Sequence, residues 1–120
     1  MINPYDLIAV KTEPGTITVI RVAEIISLRA AGNYVEIFFE EGRLLHRATL
    51  QSLLRRMPEQ FVQIHRSHVI NLHHLKLVQS ELGRYTECVM ADGQQLPIGA
   101  QFKAELMNGL NLTANDTSDD

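Results

Sequence analysis

Four histidines, His65, His68, His73 and His74, fall within ten residues, and clustered imidazoles can bind zinc, nickel or copper. On an extended segment His65 and His68 would point to opposite faces, because strand side chains alternate. Only a break near Arg66-Ser67 would bring them together. No glutamate stands nearby in the metalloprotease helix arrangement, and no cysteine partners the cluster. Cys88, the single cysteine, falls in a strand-like run, the serines are scattered, and no glycine-rich phosphate loop is present. These residues indicate no enzyme and require no cofactor. A lone cysteine also precludes an internal disulfide and fits a reducing compartment.

With 120 residues, 45% hydrophobic and 21% charged, the chain suits one compact domain. No apolar run approaches the roughly 18 residues of a membrane span, and the start has no basic stretch leading into an apolar one. A cytoplasmic protein without a membrane partner is expected. A formal net charge of -3 on its face argues against a nucleic-acid partner, but the sign is unevenly spread. Residues 21–76 carry eight basic against five acidic side chains, whereas residues 111–120 carry Asp116, Asp119 and Asp120 and no basic group. The acidity belongs to the tail. We therefore expect a domain over residues 1–110 and an acidic, disordered tail over 111–120.

The elements that must position any site are mostly short strands. Leu7 to Lys11 and Ile17 to Val22 flank the turn signal Pro14-Gly15 and read as a hairpin. Glu24 to Ala30 is a further strand; after Gly32-Asn33 the chain resumes at Tyr34 to Phe39, with Val35, Ile37 and Phe39 on one face and Glu36 on the other. A helix starts at the N-cap Thr49, shows Leu50, Leu53, Leu54 and Met57 at helical spacing, and stops at Pro58, with Arg55 and Arg56 in its last turn. Phe61 to Ile70 is strand-like with an interruption at Arg66-Ser67. Leu75 to Gln79, Tyr85 to Met90 and Gln94 to Ile98 follow, the last pair joined at Asp92-Gly93. A closing helix over Gln101 to Leu110 puts Phe102, Leu106 and Leu110 on one side. The connections are too short for parallel crossovers, so the domain is antiparallel and mainly β.

Taken together, Gly32-Asn33-Tyr34-Val35-Glu36-Ile37, Thr49-Leu50 opening a short helix, Phe61-Val62-Gln63-Ile64-His65-Arg66-Ser67 through Asn71-Leu72, and Asp92-Gly93 followed by Leu96-Pro97-Ile98 resemble the LytTR family of DNA-binding domains. The resemblance spans about residues 8 to 110. It implies an elongated antiparallel β domain of small sheets with a short internal helix and a short C-terminal helix. In such domains loops, rather than a recognition helix, enter successive major grooves of bent double-stranded DNA. It further implies a bacterial transcription regulator, often the output half of a response regulator, that binds direct repeats near promoters. A second copy on the adjacent repeat and a receiver or sensory partner come with it.

Carried over residue by residue, the resemblance makes Asn33 and Arg66 base readers and Ser67 and Lys103 phosphate contacts. The family's third reader is usually an Arg following a Ser after the Leu-Pro-x strand; this chain has Gly99 and Ala100 there, leaving Gln101 as the substitute. Each residue also has a plainer role: Arg66 as a solvated surface cation, Asn33 as a turn former, Asn71 as a side chain bonding the backbone where a strand ends. Two other classes stay open. One is a LytTR-fold protein-interaction module that has lost part of its DNA readout; the other is a His-cluster metal-binding domain.

Overall fold

The computed structural model describes residues 6–112 and shows ten strands and two short helices in that span. Leu7–Glu13 (β1) and Thr16–Arg21 (β2) form a hairpin turned at Pro14-Gly15, where Gly15 takes a φ of 82° that Pro at the preceding position favours. One 3-10 turn, Val22–Glu24, leads into Ile25–Ala31 (β3), Tyr34–Phe39 (β4) and Gly42–His46 (β5). After Leu50–Leu54 (α1), the chain adds Phe61–His65 (β6) and His68–Asn71 (β7). These strands make a five-stranded antiparallel sheet in the order β5-β4-β3-β7-β6. Leu75–Glu81 (β8), Arg84–Met90 (β9) and Gln95–Pro97 (β10) make a second sheet, and a 3-10 turn, Ala100–Phe102, opens the closing helix Lys103–Gly109 (α2).

The large sheet is covered on both faces, which is why its central strands read as continuous apolar runs instead of alternating ones. Leu28, Val35, Ile37 and Val69 face Ile8, Val10 and Ile20 of the first hairpin together with Leu50 and Leu53 of α1. On the opposite side Ile26, Ile64 and Ile70 pack with Cys88, Met90 and Leu96 of the small sheet and Leu106 and Met107 of α2. Stacking two sheets along one direction makes the molecule elongated, 53 × 33 × 23 Å. Asn71, fully buried, ties the end of β7 to β3 and caps the turn that follows: its Nδ2 donates to Ile25 O at 2.8 Å and its Oδ1 accepts from His73 N at 3.0 Å. This is the backbone-bonding role its sequence position suggested.

Local expectations are refined in four places. Helix α1 is capped by Thr49, whose side chain accepts from Ser52 N, but it ends at Leu54, so Arg55 and Arg56 lie beyond it instead of in its last turn. Pro58 has no N–H to donate to Leu54 O, and the chain instead tightens through Arg56 N to Leu53 O and Met57 N to Leu54 O, both at 3.0 Å. Glu36 does sit on the face opposite Val35 and Ile37, yet it is only 7% exposed because Arg29 and Arg43 fold over it. The interrupted strand at Phe61 to Ile70 is a complete hairpin, β6 and β7, with Arg66-Ser67 as its turn. At the C-terminus Asn111 adopts φ 61° and Leu112 N donates to Met107 O at 2.8 Å, a Schellman-type close of α2. These two residues thus belong to the end of the domain, and the rest of the expected tail, 113–120, lies outside the described residues.

Candidate nucleic-acid interface

Antiparallel pairing gathers distant turns at one end of the large sheet. Strand β3 runs into the Gly32-Asn33 turn, where Gly32 takes a φ of 62° suited to the first residue of a two-residue hairpin turn, and Asn33 is exposed. Strand β7 leaves the Arg66-Ser67 turn in the opposite direction, with His68 paired to Arg29. The two turns therefore sit side by side, and Ala30 N donates to Ser67 O at 2.9 Å to dock them. Strand spacing puts their centres about 10 Å apart. A third loop joins them: Gly99 N donates to Ile64 O at 2.7 Å, so the Ala100–Phe102 turn with exposed Gln101 is pinned to the end of β6. Lys103 opens α2 directly after it.

The Arg66-Ser67 turn has no left-handed residue and is held by side chains instead. Ser67 N donates to His65 Nδ1 at 3.1 Å, and Ser67 Oγ lies 3.0 Å from the same nitrogen. A ring nitrogen that accepts from a backbone N–H is unprotonated, so neutral His65 is set as the Nε2–H tautomer. With Nδ1 an acceptor, the Ser67 hydroxyl is the donor in the 3.0 Å contact, and it reaches a phosphate only by turning that proton outward. Buried Gln63 donates from Nε2 to His65 O at 3.1 Å and accepts from Gln51 Nε2 of α1 at 2.9 Å. Gln51 and Gln63 brace the turn without touching its outer side. Sequence reasoning missed both, and the only signal was an amide inside an apolar strand.

Positive charge also collects here. The Val35–His46 pairing places the end of β5 beside Tyr34, so exposed Arg47 flanks the Asn33 turn. His46 is held below the usual imidazole range by burial and then by Arg56, which places Arg56 close by. Arg66 itself is exposed, and among the described residues the ion pairs are Arg29 with Glu36 and Arg43 with Glu36, so Arg66 stands unpaired. By sequence alone Arg47 has no assigned role, and Arg56 reads only as a cation in the last turn of the helix.

The histidine cluster is divided. The β6–β7 turn folds His65 and His68 opposite each other, with ring centroids 5.3 Å apart, which reverses the opposite-face expectation for a continuous strand. His73 and His74 follow β7 at its far end, where His74 Nε2 donates to Ala23 O at 2.7 Å. Among the described residues no group of three or more His, Cys, Asp or Glu is arranged to hold a metal ion.

Cys88 is fully buried, and burial, followed by the nearby Glu87 charge, pushes its thiol up to about 12. A nucleophile needs the thiolate, so this cysteine is inert near neutrality. Native protein is expected to resist iodoacetamide while urea-unfolded protein alkylates fully by mass spectrometry; rapid native labelling would contradict the burial. No helix among the described residues is long and apolar enough to cross a membrane.

The sequence model of the LytTr DNA-binding domain matches residues 15–111. This chain belongs to the LytTR family. That family is a non-enzymatic DNA-binding fold. The chain is 23% identical over 112 residues to the sensory transduction protein LytR of Streptococcus agalactiae, covering 93% of this chain and 39% of that protein. A LytTr DNA-binding domain from Bacillus cereus shares the fold, with a TM-score of 0.78, 18% identity, and coverage of 89% of this chain and 98% of its own.

Proposed function

We propose that this LytTR domain binds double-stranded DNA sequence-specifically through its loops in the major groove and regulates bacterial transcription from the cytoplasm. Asn33 and Arg66 read base edges, and Ser67, Gln101 and Lys103 hold phosphates or substitute for the missing reader. The observation that carries this is the docking of two exposed turns, Gly32-Asn33 and Arg66-Ser67, through Ala30 N and Ser67 O, with an unpaired guanidinium at their tip. An Arg fork can bond guanine O6 and N7 together, and an Asn amide can bond adenine N6 and N7. The relatives' names, a sensory transduction protein and a response regulator, favour a receiver or sensory partner; two copies on a direct repeat near a promoter are part of the proposal. No cofactor is required.

With few cations at the interface, non-specific binding is weak and the salt dependence shallow, a slope of roughly -3 in log–log terms for three or four phosphate contacts. Selection of bound duplexes from a random pool at moderate salt is expected to recover a repeated motif. Recovery of unrelated sequences would overturn the proposal.

The absent third reader is testable by restoration. Ala100 is exposed. Gly99 is different, since a Cβ there would meet Phe102 Cδ2 at 3.1 Å. Ala100→Arg alone is therefore expected to raise affinity for the selected duplex by about 5- to 50-fold, the worth of one good base contact. Unchanged affinity in a binding titration would mean this loop stands away from the groove.

A further inference from the structure

One row of side chains crosses all five strands just behind the reading turns. Successive register pairs Leu45–Glu36, Glu36–Arg29, Arg29–His68 and His68–His65 place these residues on one line across β5, β4, β3, β7 and β6. Glu36 is the row's only carboxylate, and two guanidiniums share it: Arg29 bonds one oxygen and Arg43 Nη1 bonds the other at 2.8 Å. Both arginines stay substantially exposed, with side chains 47% and 65% accessible, so each has donors left for another anion. His68 and His65 continue the row with no acidic partner among the described residues.

We propose that His65, His68 and Arg29 form a DNA-phosphate site whose occupation is coupled to uptake of a proton by His68. This rests on the DNA-binding function proposed above and deepens it. The charged groups around His68 are Arg66 in the turn that leads into β7, Arg29 on β3, Glu36 on β4 already engaged by that arginine, and Lys103 and Glu105 on α2 packed against β6; His65 is the titratable group opposite it on β6.

In the free protein, burial, then His65, then Arg29 hold His68 below the usual imidazole range, so it is neutral near pH 7. A phosphate seated between the rings and Arg29 reverses the electrostatic balance. The Nε2–H of His65 is placed to donate to it, and His68 gains a reason to charge. By linkage, a group protonated in the complex and neutral when free makes binding tighter as pH falls. The dependence spans the window between the depressed pKa of the free protein and the raised pKa of the complex.

Fluorescence anisotropy on a labelled, mixed-sequence duplex of about 30 base pairs at fixed low ionic strength tests this, because a phosphate site acts on any sequence. The chain is expected to bind about tenfold tighter at about pH 6 than at about pH 8, with His68→Gln nearly flat and His73→Gln, at the far end of β7, retaining the full dependence. Proton NMR of the histidine rings supplies the variant-free arm: the His68 titration should move upward when duplex is added. Equal pH slopes in His68→Gln and the parent chain, loss of the slope in His46→Gln instead, or an unmoved His68 titration each overturn the proton coupling while DNA binding stands. No binding at either pH overturns both.

Discussion

Arg66→Ala is expected to weaken binding to the selected duplex by about 10- to 100-fold, and binding to random-sequence duplex by less than about threefold. A bidentate contact to a guanine edge contributes roughly 1–3 kcal/mol of discrimination, while one phosphate contact among several is shared by every sequence. The substitution is clean for a structural reason. Arg66 is exposed and unpaired among the described residues, and its turn is held by Ser67 N, His65 Nδ1 and Gln63, none of which it touches through its side chain. Stability should therefore change by no more than about 0.5 kcal/mol. Equal losses on both duplexes would demote Arg66 to a phosphate contact and leave base reading to Asn33 and the third loop.

Asn71→Ala is expected to cost about 3 kcal/mol of folding stability, read as a lower urea midpoint with an unchanged slope. Asn71 is completely buried and satisfies Ile25 O in a buried bond and His73 N in a part-buried one. Each orphaned backbone group costs roughly 1–3 kcal/mol, and the small void adds to it. The consequence reaches the interface, because Asn71 ties the far end of β7 to β3, the same strand pair whose near end docks the two turns. A loss below about 1 kcal/mol would show that water or a shifted backbone replaces those bonds.

Much of the architecture was legible in the residues. Pro14-Gly15, Gly32-Asn33 and Asp92-Gly93 mark turns because their chemistry suits backbone geometries that most residues avoid, and β-branched and aromatic runs between such signals make strands. Thr49 capped a helix for the same local reason. Glu36 was less legible. Alternation gives its face correctly, yet its burial depends on Arg29 and Arg43 from neighbouring strands, and no window on β4 contains them. The histidines failed in a similar way, since spacing alone treats His65-Arg66-Ser67-His68 as one strand until the turn is recognised.

By itself the sequence determined the short antiparallel strands, the helix start at Thr49, the family motif and the candidates Asn33, Arg66, Ser67, Gln101 and Lys103. Periodicity reports which face of its own element a side chain occupies, and turn chemistry is local, so these properties need no knowledge of the rest of the chain. The tertiary structure decided which turns share one end of the sheet, which histidines meet, and that Arg29 stands opposite His68. Those are cross-strand properties, set by hydrogen-bond register between segments far apart in the chain. A shift of one residue in that register would carry Arg29 and His68 to the opposite face and dissolve the row.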